Sequence, residues 1–166
     1  MTSDLQTYVD DIAAGLAAGA ALEAWRVAHG YATVAVHNGD APHEQGRQNT
    51  NEAIVAVLPG RFGGGQAVDM IEREVLVECR LMADAPGDGE LVSETGTTII
   101  YRQYRAHRRL VALMKAVLED VTTALSGRAA EWTVYEAPTD FDNADYPLVR
   151  AIVSLTFREQ TTMPNP

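Results

Sequence analysis

The sequence predicts an α+β domain, in which a largely antiparallel sheet has a long helix packed on one face and an N-terminal helix beside it. Apolar or ring-bearing side chains recur every three or four residues from 98 to 125, which is the spacing of one side of a helix. Apolar and polar side chains alternate in 71–82 and 148–158, which is the spacing of a strand. A helix with one apolar stripe needs a sheet to lie on, and strand-like segments both precede and follow it.

The length and composition are those of one globular domain. We place this domain at 1–158 and expect a loose tail at 159–166. The formal net charge of −10 opposes general binding to a phosphate backbone. The single cysteine, Cys79, excludes an intramolecular disulfide, and no signal-peptide or membrane-spanning pattern is visible. We therefore expect the protein to fold in the cytoplasm.

The first predicted element is a helix that begins near residue 4. Ser3 and Gln6 have capping-box spacing, and a helical apolar stripe follows, formed by Leu5, Val9, Ile12 and Leu16. Gly15 and Gly19 weaken or break this helix before it continues towards 28. We expect these two glycines to allow close packing within the domain.

Two short strands are predicted next. Residues 31–36 are rich in β-forming side chains and end at the turn signal Asn38-Gly39. A polar loop follows at 40–51. We expect a buried strand at 53–58 that stops at Pro59-Gly60, and a flexible glycine-rich segment at 61–65.

The longest strand signal lies at 67–82 and has two unlike faces. Apolar residues share one face, interrupted by Arg73: Ile71, Val75, Val77, Cys79 and Leu81. Charged residues dominate the other: Glu72, Glu74, Glu78 and Arg80. At about 3.3 Å per residue, 71–82 would extend about 40 Å and reach beyond its own domain. An acidic, turn-rich loop is predicted for 83–96.

The long helix is predicted from 98 to 125. Its apolar stripe contains Ile100, Tyr104, His107, Val111, Met114, Leu118, Val121 and Leu125. The opposite face should meet water or a partner, and it carries Arg102, Arg105, Arg109, Lys115 and Asp120. Two strands complete the pattern at 131–137 and 148–158, with an acidic loop between them.

No segment carries a specific catalytic, cofactor or metal motif. His37 and His43, with Asp40 and Glu44, match no metal-ligand spacing, so we interpret them as surface residues. The run Asp140-x-Asp142-x-x-Asp145 lacks the glycine and glutamate of a calcium loop. Cys79 and His107 fall on apolar faces, where a core role is favoured over chemistry.

Arginines form a basic ridge on the predicted helix, at Arg102, Arg105, Arg108 and Arg109. This ridge is either a solvated helix face or a contact with an acidic surface. The acidic loops at 83–96 and 138–146 are the complementary surfaces on another copy. Such pairing is head to tail, and it closes into a ring if the rotation allows.

The order of these elements resembles the tail terminator proteins of long-tailed, siphovirus-type bacteriophages and phage-like gene transfer particles. The resemblance covers most of the chain: an N-terminal helix, a sheet with an extended central hairpin, the helix IIYRQYRAHRRLVALMKAVLEDVTTAL, and a final strand pair ending in DFDNADYPLVRAIVSLTFRE. Specific motifs contribute little, because these proteins share topology more than residues.

The resemblance implies a structural virion protein with no catalytic activity and no cofactor or metal. It implies a homo-oligomer, a hexameric ring at the head-proximal end of the tail, whose partners are the tail tube protein and the head–tail connector or stopper protein. DNA would pass through without specific binding, and no membrane is involved. Assembly would occur in the host cytoplasm.

Partner contacts are expected at thirteen residues: Arg61, Phe62, Glu72, Glu74, Glu78, Asp84, Asp88, Glu90, Arg102, Arg105, Arg109, Asp140 and Asp142. The nearest alternative is another neck component, a stopper or connector-completion protein. A small α+β enzyme or ligand-binding domain is a different class, which requires polar residues converging in an apolar pocket.

Overall fold

The computed structural model describes residues 5–39, 51–64, 70–82, 90–95, 98–102, 105–125, 130–136 and 148–160. The elements follow the order α1 (Leu5–Ala17), α2 (Ala20–His29), β1 (Thr33–Asn38), β2 (Glu52–Gly64), β3 (Met70–Met82), β4 (Glu90–Thr95), β5 (Thr98–Arg102), α3 (Arg105–Ala124), β6 (Ala130–Glu136) and β7 (Leu148–Gln160).

Five strands form one sheet in the order β1-β2-β3-β7-β6, and β4 and β5 form a separate two-stranded sheet. All neighbouring strands are antiparallel except β1 and β2, which run parallel. A parallel pair needs a crossover connection, and residues 39–51 join these two strands. The predicted α+β class, a largely antiparallel sheet with helices packed against it, is confirmed.

The core lies between one face of the sheet and the three helices. Alternate side chains of β3 and β7 enter it, and those of Val75, Val77, Val153 and Phe157 are at most 1% exposed. The ring of Phe157 stacks on that of Tyr8 from α1 at a centroid distance of 4.3 Å. The predicted core faces of β3 and β7 are therefore confirmed.

Close packing at the two glycines of the amino-terminal segment is also confirmed. A Cβ atom at Gly15 would collide with the Cβ of Ala124, and one at Gly19 would collide with the carboxylate of Asp120. The chain leaves its helical path between α1 and α2, at 18–19, so that the predicted helix is two helices.

The prediction that a strand stops at Pro59-Gly60 was wrong, because β2 continues to Gly64. Its register with β3 shifts between Pro59 and Phe62, and this irregularity accommodates a residue that cannot donate to the ladder. A Cβ atom at Gly60 would lie 2.8 Å from the backbone oxygen of Glu74. Glycine is thus required there by the close approach of β3.

The predicted start of the long helix at 98 was also wrong. Residues 98–102 form β5, which pairs with β4, and α3 begins at Arg105. The run Thr97-Thr98-Ile99-Ile100-Tyr101 consists of β-branched and aromatic residues, which favour a strand. β4 in turn replaces part of the acidic loop predicted at 83–96, and residues 83–89 and 96–97 lie outside the described residues.

The buried side of α3 is rotated by about one residue from the predicted stripe. Leu110, Leu113 and Val117 are at most 2% exposed, whereas Val111 and Leu118 are only partly buried. Met114, Val121 and Leu125 are buried as predicted. The side chain of His107 and the position of Tyr104 lie outside the description.

The final strand is longer than predicted, since β7 continues through Gln160. Three strands, β2, β3 and β7, have thirteen residues each and extend about 40 Å. The polar loop at 40–50, the loop at 137–147 and the tail at 161–166 lie outside the described residues.

Candidate interaction surfaces

Asp120 is a buried carboxylate that joins α3 to the start of α2. Its oxygens accept the backbone N–H groups of Ala21 at 3.0 Å and Leu22 at 2.8 Å, two of the first-turn donors that have no partner within the helix. The prediction that Asp120 faces water or a partner was wrong, because the α2 terminus occupies that side of α3. The residue has a structural role within the domain.

Arg109 is also engaged within its own domain. Its backbone oxygen accepts the indole N–H of Trp25 at 3.2 Å, and its guanidinium carbon lies 5.8 Å from the ring centroid of Tyr31. Trp25 stacks on Tyr31 at 4.9 Å, and His29 lies beside Trp25 at 5.2 Å. Burial, and secondarily the charge of Arg109, lowers the pKa of His29. Arg109 is thus half-buried in an aromatic cluster.

The predicted basic ridge is divided by the fold. Arg102 lies in β5 and therefore does not belong to the helix, and Arg105 is the first residue of α3 with its side chain outside the description. Arg108 and Lys115 are exposed and stand seven residues apart, so that both lie on one stripe of α3. Among the described side chains, neither of these two cations forms an ion pair. We call this pair the cationic stripe.

The sheet face away from the helices carries an acidic group at one end. Arg158 of β7 donates to Glu72 of β3 at 3.0 Å and to Glu131 of β6 at 2.6 Å. The hydrogen bond to Glu72 and then the charge of Glu131 raise the pKa of Arg158. Glu74 accepts a hydrogen bond from Ser154 at 2.6 Å on the same face. We call Glu72, Glu74, Glu131 and Arg158 the acidic ladder.

The acidic ladder contains three carboxylates and one guanidinium, for a formal charge of −2. Its members are accessible: the side chains of Glu72, Glu131 and Arg158 are 39%, 68% and 45% exposed. Sequence reasoning named Glu72 and Glu74 but missed Glu131 and Arg158. Their signal was available only through the strand register, which pairs Glu72 with Arg158 and sets Glu131 opposite Thr156.

The other end of the same sheet face is buried. Arg80 donates to Glu78 at 2.6 Å, and their side chains are 2% and 7% exposed. Ile54 and Ala56 of β2 lie opposite Arg80 and Glu78 and are buried with them. The prediction that Glu78 contacts a partner is therefore wrong, because its carboxylate is buried inside the domain and paired with Arg80.

The remaining predicted contact residues are placed only in part. The backbone of Arg61 and Phe62 lies in β2, and that of Glu90 lies in β4, while their side chains are outside the description. The acidic residues of the two predicted loops lie outside the described residues altogether: Asp84, Asp88, Asp140 and Asp142.

The described residues contain no group of three or more potential metal ligands. Cys79 is fully buried in the core, and burial raises the pKa of its thiol to about 12, so that it stays protonated and unreactive near neutral pH. No described helix is both long enough and apolar enough to cross a bilayer.

Sequence comparisons find no protein-family model that matches this chain, and no curated protein is similar to it. The class that the structure defines is an α+β domain with a helix layer on one side of a mixed sheet and charged groups on both outer sides.

Proposed function

We propose that this protein is a ring-forming structural component of a virion, a tail terminator that caps the tail tube, stops its elongation and joins it to the head connector. The observation that carries the proposal is the order of elements. Two amino-terminal helical segments precede a sheet with a long β2–β3 hairpin, and α3 is followed by two strands that return to the same sheet beside β3.

The dimensions of the domain support this function. Three neighbouring strands of thirteen residues, each about 40 Å long, give the sheet more height than the common strand of five or six residues provides. A tall sheet supplies surface for neighbouring copies along its faces, and for tube and connector at its two ends. The α3 helix stiffens the same layer by packing on β3 and β7.

The charge supports a channel that DNA crosses without being held. Six copies at −10 each carry a formal charge of −60, which repels a polyanion. Arg73 and Arg80 are buried, and Arg158 is bonded to two carboxylates, so these cations are not presented for phosphate binding. The two cations of the cationic stripe are on the opposite, helical side of the domain.

Deletion of the gene tests the proposal in the particle that carries it. We expect tail tubes of irregular and excessive length that remain unattached to heads, because nothing ends tube growth. Supplying the wild-type gene from a plasmid should restore tails of uniform length. Uniform tails joined to heads in the deletion strain, seen by electron microscopy, would contradict the function.

A second experiment separates the terminator from another neck component. Purified protein is mixed with tail tubes polymerised from the tube protein of the same particle. A terminator binds the tube end directly and stops further growth when more tube subunits are added. A stopper or connector-completion protein leaves tube growth unchanged and binds the head connector instead.

A further inference from the structure

The domain carries two exposed cations on its helix side and a group of exposed carboxylates on the opposite side of the sheet. Alternate residues of a strand face opposite sides of a sheet. In β3, Val75 and Val77 face the helices, so that Glu72 and Glu74 face away from them. The cationic stripe lies on the outer side of α3, in the helix layer. The acidic ladder and the cationic stripe are therefore on the back and the front of one two-layer domain.

We infer that the cationic stripe of one copy docks on the acidic ladder of the next copy, which makes a front-to-back contact. This inference deepens the proposed ring by naming the surfaces that meet, and it rests on that proposal only for the closure of the contact into a ring. A contact between two different surfaces repeats head to tail, and it gives a ring when the rotation between copies closes.

The charges of the two surfaces are opposite in sign. Arg108 and Lys115 contribute +2, the exposed Glu119 one turn after Lys115 contributes −1, and the acidic ladder sums to −2. In a chain with 13 basic residues against 23 acidic ones, two neighbouring exposed cations without an ion pair among the described side chains are a distinct surface. Opposite charges on facing surfaces orient the partners and speed their encounter.

The spacings are also similar. Arg108 and Lys115 are separated by two helical turns, or about 10 Å along the axis. Glu72 lies level with Arg158 and Glu131 level with Thr156, one strand on either side of β7, so that two interstrand spacings and two residues along the strand separate them by about 12 Å. A second copy satisfies this geometry with surfaces that the chain itself supplies.

Charge reversal tests the contact. The helix-side variant is Arg108→Glu with Lys115→Glu, and the sheet-side variant is Glu72→Lys with Glu131→Lys. In each variant the helix side of one copy and the sheet side of the next copy carry charges of the same sign. We therefore expect self-association at least about tenfold weaker than that of the wild type. These residues are exposed or half-buried on the surface, so circular dichroism should show an unchanged fold, and the lost ion pairs of Arg158 should lower the melting temperature by only a few degrees.

Mixing the two variants gives the discriminating result. The helix side of the first variant is then complementary to the sheet side of the second, and the converse contact is complementary too. An equimolar mixture should therefore recover the assembly, with the two variants alternating and even copy numbers only. Native mass spectrometry reads both the copy number and the alternation, and added salt should weaken the contact.

A matched control adds negative charge to the same layer at exposed positions of α2 outside its contact with Asp120, with Ala24→Glu and Ala28→Glu. This variant should assemble as the wild type does. The proposed contact would be overturned if the two charge-reversal variants assembled as the wild type does, or if their mixture did not recover the assembly. It would also be overturned if the control variant blocked assembly as strongly as they do. A wild type that stays monomeric would also overturn it, whereas the proposed tail function stands or falls on the gene deletion alone.

Discussion

The two faces of β3 differ in the charged side chains that they carry. The face towards the helices is apolar at Val75, Val77, Cys79 and Leu81, and all four are fully buried. The other face carries carboxylates whose exposure falls along the strand, from Glu72 at the accessible end to Glu78 at the buried end. The comparison separates two uses of a strand: one face holds the domain together, and the other presents charge at one end and hides it at the other.

The largest effect is expected for Glu78→Gln. This change removes the buried carboxylate that is paired with Arg80, which should cost about 3–5 kcal/mol of unfolding free energy. Glu72→Gln is the matched control, because it makes the same change on the same face of the same strand at an exposed pair, and should cost at most about 1 kcal/mol. Urea unfolding measures both. Equal losses would mean that the two ends of this face do not differ.

The helix-facing side is tested by truncation of α3. Leu113→Ala should cost about 2–5 kcal/mol, because Leu113 is fully buried between α3 and the sheet. Leu118→Ala should cost clearly less, because this side chain is only partly buried. Denaturant midpoints at equal slope compare the two variants. A greater loss at Leu118 would restore the helical stripe predicted from the sequence.

A smaller loss is expected for Asp120→Asn, at about 1–3 kcal/mol. An amide keeps one acceptor oxygen and turns a donor towards the N–H groups of Ala21 and Leu22, so one of two buried bonds is lost. Glu119→Gln is the control at the neighbouring exposed carboxylate, where the change should stay within about 0.5 kcal/mol. Thermal unfolding monitored by far-ultraviolet circular dichroism provides the measurement.

The smallest effect is expected for Arg158→Ala in the acidic ladder. Both of its ion pairs are accessible to solvent, so their loss should lower the unfolding free energy less than Glu78→Gln, Leu113→Ala or Asp120→Asn does, and less still in high salt. A loss as large as that of Glu78→Gln would show that the acidic ladder is a structural element and weaken its role as a docking surface.

Local patterns predicted the layers of the fold well. Alternation located β3 and β7 and their core faces, and glycine spacing indicated close packing of the α1–α2 segment within the domain, which the structure places against α3. These features depend on neighbours along the chain, and the periods of two and 3.6 residues report them directly. The element types were therefore recovered wherever one face was continuously apolar.

The errors arose where distant residues decide the outcome. The local sequence predicts that Asp120 is a surface residue. In the structure it binds the start of α2, which lies about one hundred positions earlier in the chain. Glu78 and Arg80 occupy polar positions of an alternating strand, yet they are buried together with Ile54 and Ala56 of β2. At 98–102 a helical spacing continued by chance into a strand, although the β-branched residues there favoured β5. In each case the outcome depends on contacts that the pattern along the chain does not report.

The charged groups on the outer sides of the domain were predicted by type more than by position. The sequence indicated opposite charges for a head-to-tail contact, but it assigned the basic ridge to four arginines, of which Arg109 is used inside the domain and Arg102 belongs to β5. It also assigned the acidic surfaces to loops outside the described residues. The acidic ladder depends on strand register, which no local pattern specifies.

The position of β7 has a consequence for the stage of synthesis at which the sheet can be completed. β7 lies between β3 and β6, although it is the last element described along the chain. A nascent chain halted before residue 148 has β3 and β6 without the strand that joins them, and it lacks Arg158. Such long-range closure predicts slow folding that finishes only after the final strand leaves the ribosome. A chain that stops before residue 148 would therefore lack both the complete sheet and the acidic ladder.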